Sequence, residues 1–145
     1  MNDDVEILLV EDEPDDVELT MRALRSENVK NPIRVARDGE QALDYVFCRG
    51  EFSDRPKDRP PKLILLDLNL TRMGGLDVLQ QLKVREQTRP IPVVVFTGSH
   101  NEREMLESYR LGANSYVVKP ADAKRYAQLV GDIAYYWLMV NRSFH

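Results

Sequence analysis

Residues 63–67 read Leu-Ile-Leu-Leu-Asp, an unbroken aliphatic run that stops at an acid. Residues 93–96 repeat the pattern with Val-Val-Val-Phe, and Thr97 follows them. Aliphatic runs without polar alternation are typical of strands that are buried on both faces of a parallel sheet. Because such a sheet must be covered by helices on both sides, these two stretches predict an α/β protein.

Three further apolar runs alternate with amphipathic stretches along the rest of the chain. The predicted strands are 6–10, 33–36, 63–66, 93–96 and 115–118. The predicted helices are 14–28, a helix that includes 42–47, 76–85, a fourth helix that ends near 111, and 122–141. The fourth helix is predicted to open with an S-x-x-E capping box at 99–102. Alternating strands and helices of this length imply right-handed crossovers. We therefore predict a doubly wound, five-stranded parallel sheet in the order 2-1-3-4-5 with five helices, a flavodoxin-like fold.

Composition narrows the class of protein. The 145 residues suit one domain, and we expect residues 1–145 to form it without an output domain. With 43% hydrophobic and 30% charged residues, the chain is neither disordered nor fibrous. The net charge of −4 argues against nucleic acid as a partner, and no apolar run reaches the roughly 18 residues of a membrane span. The single cysteine, Cys48, and the acidic amino terminus predict a cytoplasmic protein.

The polar, proline-punctuated segment 50–62 is predicted to be a loop without an assigned role.

Polar side chains follow four of the five predicted strands. Glu11 and Asp12 follow the first strand, Asp67 the third, Thr97 the fourth and Lys119 the fifth. In the order 2-1-3-4-5 these four strands are neighbours, so their carboxyl ends meet at one edge of the sheet. The sequence therefore predicts that three carboxylates, a hydroxyl and an ammonium group share one small site.

Closely packed carboxylates repel one another unless a cation relieves them. Mg²⁺ prefers hard oxygen ligands, and we predict that Asp12 and Asp67 bind it directly. The backbone carbonyl of Asn69 is the predicted third ligand, and Glu11 is expected to act through a bound water. Mn²⁺ is a possible substitute for Mg²⁺.

A carboxylate can also act as a nucleophile and form an acyl phosphate. The arrangement therefore predicts transfer of a phosphoryl group onto Asp67. Lys119 and Thr97 are expected to contact the oxygens of that group. Asp67, Thr97 and Lys119 are thus the predicted catalytic residues.

Four motifs in order along the chain resemble the receiver domain of two-component response regulators. They are LLVEDE at 8–13, LLDLNL at 65–70, VVVFTGS at 93–99 and YVVKP at 116–120. The resemblance implies a phosphoacceptor switch that takes its phosphoryl group from a sensor histidine kinase and signals to an unknown downstream protein through protein contacts. In that reading Asp67 is the phosphoacceptor, and Glu11 with Asp12 is the acidic metal pair. Thr97 is then the switch hydroxyl and Lys119 the phosphate-contacting lysine.

The same resemblance carries three finer implications. Tyr116 matches the switch aromatic of the family, and Pro120 matches a proline that is typically cis. Thr71 departs from the pattern, because the family usually has proline four residues after the phosphoacceptor. The resemblance further implies a switch that assists only its own phosphorylation and dephosphorylation, rather than an enzyme.

A narrower resemblance rests on three segments. The SHNE sequence at 99–102, the long loop before the third strand and the YYWL sequence at 135–138 are similar to phytochrome-associated single-domain regulators. This similarity implies a phytochrome-type kinase as the partner.

Three other readings stay open at this level. A flavodoxin-like cofactor carrier should have small hydroxyl and glycine donors after its first strand, where this chain has EDEPDD at 11–16. A Mg²⁺-dependent phosphohydrolase should have a general acid at the position of Asn69. A degenerate receiver that never accepts phosphate is disfavoured by the intact set of acids.

The last predicted helix carries apolar residues on two sides. One stripe, expected to face the sheet, contains Tyr126, Leu129, Val130, Ile133, Trp137 and Val140. Tyr135, Leu138 and Met139 fall on the opposite side, where a monomer would expose them together. A contiguous apolar patch of this kind marks a contact surface, and we predict a homodimer, with kinase or target docking as the alternative.

Overall fold

The order of the sheet follows from the strand pairings. β1 (Ile7–Val10) lies between β2 (Ile33–Ala36) and β3 (Leu63–Leu66), and the sheet continues through β4 (Val93–Thr97) to β5 (Ser115–Val118). All four pairings are parallel, which confirms the predicted order 2-1-3-4-5. The structure, a computed structural model, describes residues 7–142.

Five α-helices connect and cover the strands. They are α1 (Pro14–Ser26), α2 (Gly39–Val46), α3 (Gly75–Val84), α4 (Glu102–Leu111) and α5 (Ala123–Tyr135), and a π-helical turn (Tyr136–Val140) extends α5. Between residues 7 and 142, no helix is both long enough and apolar enough to cross a membrane.

The central strands are wholly aliphatic because they supply two cores. Successive side chains of a strand point to opposite faces of the sheet. On one face Leu8, Ile64 and Val95 pack with residues of α2 and α3. On the other face Leu65 and Phe96 pack with residues of α1 and α5. This double burial confirms the reading of the runs at 63–66 and 93–96 as interior strands.

Two helix termini differ from the prediction. Helix α1 ends at Ser26 rather than near Asn28, because Asn28 has a φ of 61°, which no α-helix can continue. Helix α4 is capped by Asn101, whose side chain accepts a hydrogen bond from the Glu104 N–H at 3.0 Å. The predicted capping box at Ser99 is therefore wrong, and the Ser99 hydroxyl instead contacts the Glu104 carboxylate at 2.5 Å.

The end of α5 also differs. The α-helix gives way at Tyr136 to a π-helical turn, in which each residue rotates less about the axis than in an α-helix. As a result Leu138, predicted to be exposed, is half-buried against the core, whereas Val140, predicted to face the sheet, is 46% exposed. The two-sided assignment of these two residues was wrong because it assumed an α-helical period throughout.

The backbone after β5 and after α2 has two local features of note. The Lys119–Pro120 peptide bond is trans, as no bond between residues 7 and 142 is cis, so the cis bond implied by the resemblance is wrong here. The trans form is the intrinsically favoured one even before proline. Cys48 is buried and lies just beyond α2, where it has a φ of 55°.

The long loop before β3 is anchored to the domain. It opens with a short 3₁₀ turn at Gly50–Phe52, which places the Phe52 ring edge-on to Tyr45 at a centroid distance of 5.1 Å. The guanidinium group of Arg34 lies 5.4 Å and 5.2 Å from the centroids of these two rings. Phe52 is thereby buried, and the start of the predicted loop is a packed segment.

Candidate functional site

The carboxyl ends of β1, β3 and β5 bring the predicted charged residues together. The Lys119 ammonium group donates to Glu11 Oε1 at 2.5 Å and to Asp67 Oδ2 at 2.9 Å. Lys119 also ties β5 to β4, because its backbone N–H donates to the Thr97 carbonyl at 2.7 Å. Of the five residues predicted to share a site, the structure therefore joins the side chains of Glu11, Asp67 and Lys119 directly.

A third carboxylate completes the contacts of Lys119. Asp16, in the first turn of α1, accepts a hydrogen bond from the same ammonium group at 2.8 Å. The oxygens of Glu11, Asp16 and Asp67 all lie within 4.8 Å of one another. We refer to these three residues as the carboxylate cluster.

Burial governs the electrostatics of the cluster. The side chains of Glu11, Asp67 and Lys119 are 3%, 7% and 8% exposed, whereas that of Asp16 is 29% exposed. Burial raises the pKa of Glu11 to about 7, against the hydrogen bond from Lys119 that favours the charged form. Burial alone would lower the pKa of Lys119, but its hydrogen bonds to Asp16 and Glu11 outweigh that effect and raise it. The ammonium group is therefore the charge that holds the cluster together.

Backbone contacts orient Asp67 in addition to its ion pair with Lys119. Its N–H donates to the Val10 carbonyl at 3.0 Å, and its Oδ1 accepts from the Asn69 N–H at 3.1 Å. A Cβ atom on Gly75, at the start of α3, would lie only 2.4 Å from the Asp67 carbonyl oxygen, so the chain needs glycine at that position. The carboxylate thus has a fixed orientation at the mouth of the sheet.

The donor set fits a hard divalent cation. Three carboxylates whose oxygens lie within 4.8 Å of one another are the ligands that Mg²⁺ and Mn²⁺ prefer. Asp12, a predicted direct ligand, is half-buried beside Glu11 and is not part of this cluster. Asn69 is exposed, and the contact the structure gives it is through its N–H rather than its carbonyl.

Thr97 and Tyr116 meet at the loop that follows β4. Thr97 is fully buried, and its hydroxyl oxygen accepts a long hydrogen bond of 3.4 Å from the Ser99 N–H. The half-buried Tyr116 donates its hydroxyl to the Ser99 carbonyl at 3.1 Å, and burial raises the pKa of that hydroxyl. Both predicted switch residues therefore contact Ser99.

Sequence reasoning missed Asp16. The signal was present, because Asp16 lies in the acidic segment that follows β1 and opens a helix at Pro14. Acids in the first turn of a helix are common because they favour the helix dipole, so this position alone does not indicate a contact with the site. Asp16 and Lys119 are 103 positions apart in the sequence. Their contact depends on how α1 is inclined to the sheet, which local sequence patterns do not reveal.

The loop that departs from the family pattern is tied to α2. Arg72, next to Thr71, forms an exposed ion pair with Glu40 at 3.2 Å. A Cβ atom on Gly39 would lie 2.7 Å from both the Cβ and the carbonyl oxygen of Met73. Close packing against the start of α2 therefore supports this loop where the family usually has a proline.

An apolar surface lies at the end of α5 and in the π-helical turn, as predicted, but some of its residues differ from the predicted ones. Tyr135, Tyr136, Met139 and Val140 are exposed by 46% to 73%. A groove of about 430 Å³ runs between α5 and the segment after α1, and it is lined by Tyr135, Leu138 and Met139 among others. We call these four exposed residues together with the groove the tail surface.

Comparisons with known proteins agree with this geometry. A family model described as the response regulator receiver domain matches residues 7–131. Response regulator Rcp1 of Synechocystis sp. is 38% identical over 132 residues, which cover 91% of this chain and 88% of Rcp1. The crystal structure of the Mn²⁺-bound form of Rcp1 matches with a TM-score of 0.89 at 36% identity, covering 98% of this chain and 99% of that one.

Two further solved structures carry phytochrome in their names. The phosphorylated cyanobacterial phytochrome response regulator RcpA matches with a TM-score of 0.89 at 36% identity, covering 96% of this chain and 97% of that one. The bacteriophytochrome response regulator RtBRR is 44% identical, with a TM-score of 0.76, and the match covers 94% of this chain and 82% of that one. None of these matches favours a cofactor carrier or a phosphohydrolase. The chain therefore belongs to the response regulator receiver family and is a response regulator of two-component signalling.

Proposed function

We propose that Asp67 accepts the phosphoryl group in this protein. The observation that carries the proposal is the Asp67 carboxylate itself, which lies between the Lys119 ammonium group and the Asn69 N–H. In the transfer, an Asp67 oxygen forms a bond to phosphorus while the bond from phosphorus to the kinase histidine breaks and the imidazole leaves. Lys119 neutralises negative charge on the transferred group, and the Asn69 N–H orients the attacking carboxylate.

We propose Mg²⁺ as the ion of this site, with Mn²⁺ as a substitute. Asp12 and Asp67 would bind it directly, the Asn69 carbonyl would be a further ligand, and Glu11 would hold it through a bound water. When bound, the ion supplies positive charge to the oxygens of the incoming phosphoryl group. The Mn²⁺-bound form of the relative Rcp1 supports this assignment.

Thr97 and Tyr116 are the proposed switch. The phosphoryl group adds about −2 charge and acceptor oxygens next to the end of β4. The Thr97 hydroxyl turns towards those oxygens, which releases its contact with the Ser99 N–H. Because the Tyr116 hydroxyl donates a hydrogen bond to the Ser99 carbonyl, the loop after β4 and the Tyr116 ring move together. The surface formed by this loop and Tyr116 then signals through contacts with other proteins, without turnover of an external substrate.

The proposed phosphoryl donor is a sensor histidine kinase of the phytochrome type. The names of RcpA and RtBRR, which match most of this chain, support that kind of kinase. The downstream partner is a further protein of unassigned identity, and the cytoplasmic location predicted from the sequence stays a prediction.

A homodimer through the tail surface is the proposed assembly. Tyr135 and Met139 are exposed and line the groove of this chain. A two-fold interface uses the same patch on both subunits, and exposed apolar side chains along a groove can pack against their copies in a second chain. A second copy of this chain is therefore the proposed occupant of the tail surface.

The phosphoacceptor assignment is tested by mass spectrometry of protein treated with acetyl phosphate and Mg²⁺. Wild type should gain the mass of one phosphoryl group, and Asp67→Asn, which keeps the shape but removes the nucleophile, should gain none. The matched control is Asp77→Asn, because Asp77 is an exposed acid in the first turn of the adjacent α3 and should label like wild type. Equal labelling of Asp67→Asn and wild type would refute the assignment.

A further inference from the structure

Asp16 reaches the site from a helix, unlike the residues that end the strands. Glu13 caps α1 and Pro14 is its first residue, so Asp16 lies on the first turn, directly above the mouth of the sheet. The Asp16 backbone is placed from the other side by α5, because the Tyr126 hydroxyl lies 3.5 Å from the Asp16 carbonyl and 2.9 Å from the Thr20 hydroxyl. The backbone that carries the Asp16 carboxylate is therefore positioned by two helices.

The Lys119 ammonium group has three N–H donors, and the carboxylate cluster accepts from it three times. Two of these acceptors, Glu11 and Asp67, are the deeply buried ones that also hold the proposed divalent ion. An ammonium group and a divalent ion that share the same oxygens repel each other. An ion held by Glu11 and Asp67 would therefore weaken their contacts with Lys119.

Asp16 is the acceptor that stays available to Lys119 during this exchange. It lies at the outer edge of the cluster, with 29% of its side chain exposed, so its charge costs less to desolvate than that of its neighbours. We propose that Asp16 is a positioning residue that retains the Lys119 ammonium group when a divalent ion occupies the site. This inference rests on the proposed metal site, and it assigns Asp16 the role of limiting how strongly Lys119 competes with the ion.

The first test measures Mg²⁺ affinity by titration calorimetry at pH 8. Asp16→Asn leaves Lys119 only Glu11 and Asp67 as negatively charged partners, so the Mg²⁺ affinity should fall by about five- to tenfold. Asp15→Asn removes the same charge from the neighbouring exposed position and should change the affinity less than about twofold. Asp16→Glu, which keeps the carboxylate, should restore most of the affinity.

The decisive step is a double-mutant cycle with Lys119→Met. If Asp16 acts through Lys119, the effect of Asp16→Asn on Mg²⁺ affinity should vanish in the Lys119→Met background. An effect of the same size in that background would overturn the proposal and make Asp16 a metal ligand or a general source of negative potential. Unchanged Mg²⁺ affinity of Asp16→Asn in the wild-type background would overturn it as well.

A second readout needs no metal. In metal-free protein, the NMR signal of the Lys119 Cε should shift in Asp16→Asn and stay in place in Asp15→Asn. An unshifted signal in Asp16→Asn would contradict the proposal directly. Wild-type protein that binds no Mg²⁺ would instead contradict the proposed metal site, so the two failures are distinguishable.

Discussion

At the scale of single residues, one ammonium group organises the site. Lys119 neutralises a cluster in which Glu11 and Asp67 are almost completely buried, and burial without that contact would leave uncompensated negative charge. Burial raises the pKa of Glu11 to about 7, so the charge of the cluster changes within the physiological range of pH. The proton, Lys119 and a divalent ion therefore compete for the same oxygens.

The raised pKa of Glu11 predicts a pH-dependent Mg²⁺ affinity. Below pH 7 the Glu11 carboxyl group is mostly protonated in the metal-free protein, and Mg²⁺ must displace that proton. The affinity should therefore rise by up to about tenfold per pH unit as the pH approaches 7 from below, and level off above it. Calorimetric titrations between pH 5.5 and 8.5 measure this dependence.

The control for this prediction is Glu11→Gln. The amide does not titrate, so its weaker Mg²⁺ affinity should vary much less over the same range. A wild-type pH profile as flat as that of Glu11→Gln would contradict the assignment of the proton to Glu11.

Most of the site was predictable at this scale because strand ends are visible in the sequence. Glu11, Asp67, Thr97 and Lys119 each follow or end an apolar run, and parallel strands place such residues at one edge. Asp16 was not predictable in the same way, since its contact depends on the inclination of a helix. The long-range contact between Asp16 and Lys119 has no local signature.

At the scale of elements, the connection from β3 to α3 supports the phosphoacceptor. Gly75 packs its α-carbon against the Asp67 carbonyl and Leu68, and its N–H donates to the Leu68 carbonyl at 3.1 Å. A Cβ atom there would meet backbone atoms at 2.4 Å and 2.6 Å, which cannot move without displacing Asp67. The start of α3 is thus a rigid support for the site.

The two adjacent glycines of this connection should differ in how much stability the protein loses when each is replaced by alanine. Gly75→Ala should lower the free energy of unfolding by about 1–3 kcal/mol, because the added methyl group collides with backbone. Gly74→Ala meets no atom within 4 Å and has ordinary backbone angles, φ −61° and ψ 154°. Gly74→Ala removes a favourable helix-capping residue, but alanine also reduces the conformational freedom of the unfolded chain, and the two effects nearly cancel. The free energy of unfolding should therefore change by less than about 0.5 kcal/mol.

Urea unfolding followed by circular dichroism compares the two variants with wild type. Equal midpoints for Gly75→Ala and Gly74→Ala would show that the close approach to Asp67 is not a constraint.

The elements themselves were largely predictable, and their ends less so. The interior strands carry a strong signal because every residue from Leu63 to Leu66 is apolar. The cap of α4 was misplaced because Ser99 and Asn101 are both good capping residues, and only the path of the loop decides between them. The π-helical turn after Tyr135 has no signature in composition, and it exchanged the exposures of Leu138 and Val140.

At the scale of the whole molecule, the strand order places the site and the tail surface in separate regions. The site lies at the carboxyl ends of the strands, whereas the tail surface lies at the end of α5 beside the segment that follows α1. A change in one region therefore need not damage the other. This separation makes the proposed dimer testable without loss of phosphorylation.

The proposed homodimer predicts a concentration-dependent mass. Wild type should dimerise in sedimentation equilibrium, and Tyr135→Lys combined with Met139→Glu should be monomeric, because both side chains are exposed and lie on the tail surface. Leu106→Lys is the control, since Leu106 is an exposed leucine of α4, and it should dimerise like wild type. A wild type that stays monomeric at high concentration, with and without acetyl phosphate, would contradict the homodimer.

The central claim is that Asp67 carries the phosphoryl group, and chemical trapping of that group tests it most directly. Borohydride reduces an acyl phosphate to an alcohol, which converts the modified aspartate into homoserine. Wild type treated with acetyl phosphate and Mg²⁺, reduced and digested, should contain homoserine at position 67 by tandem mass spectrometry, and no homoserine should form when Mg²⁺ is omitted. Homoserine at position 12 or 16 instead of 67, or at no position, would contradict the account.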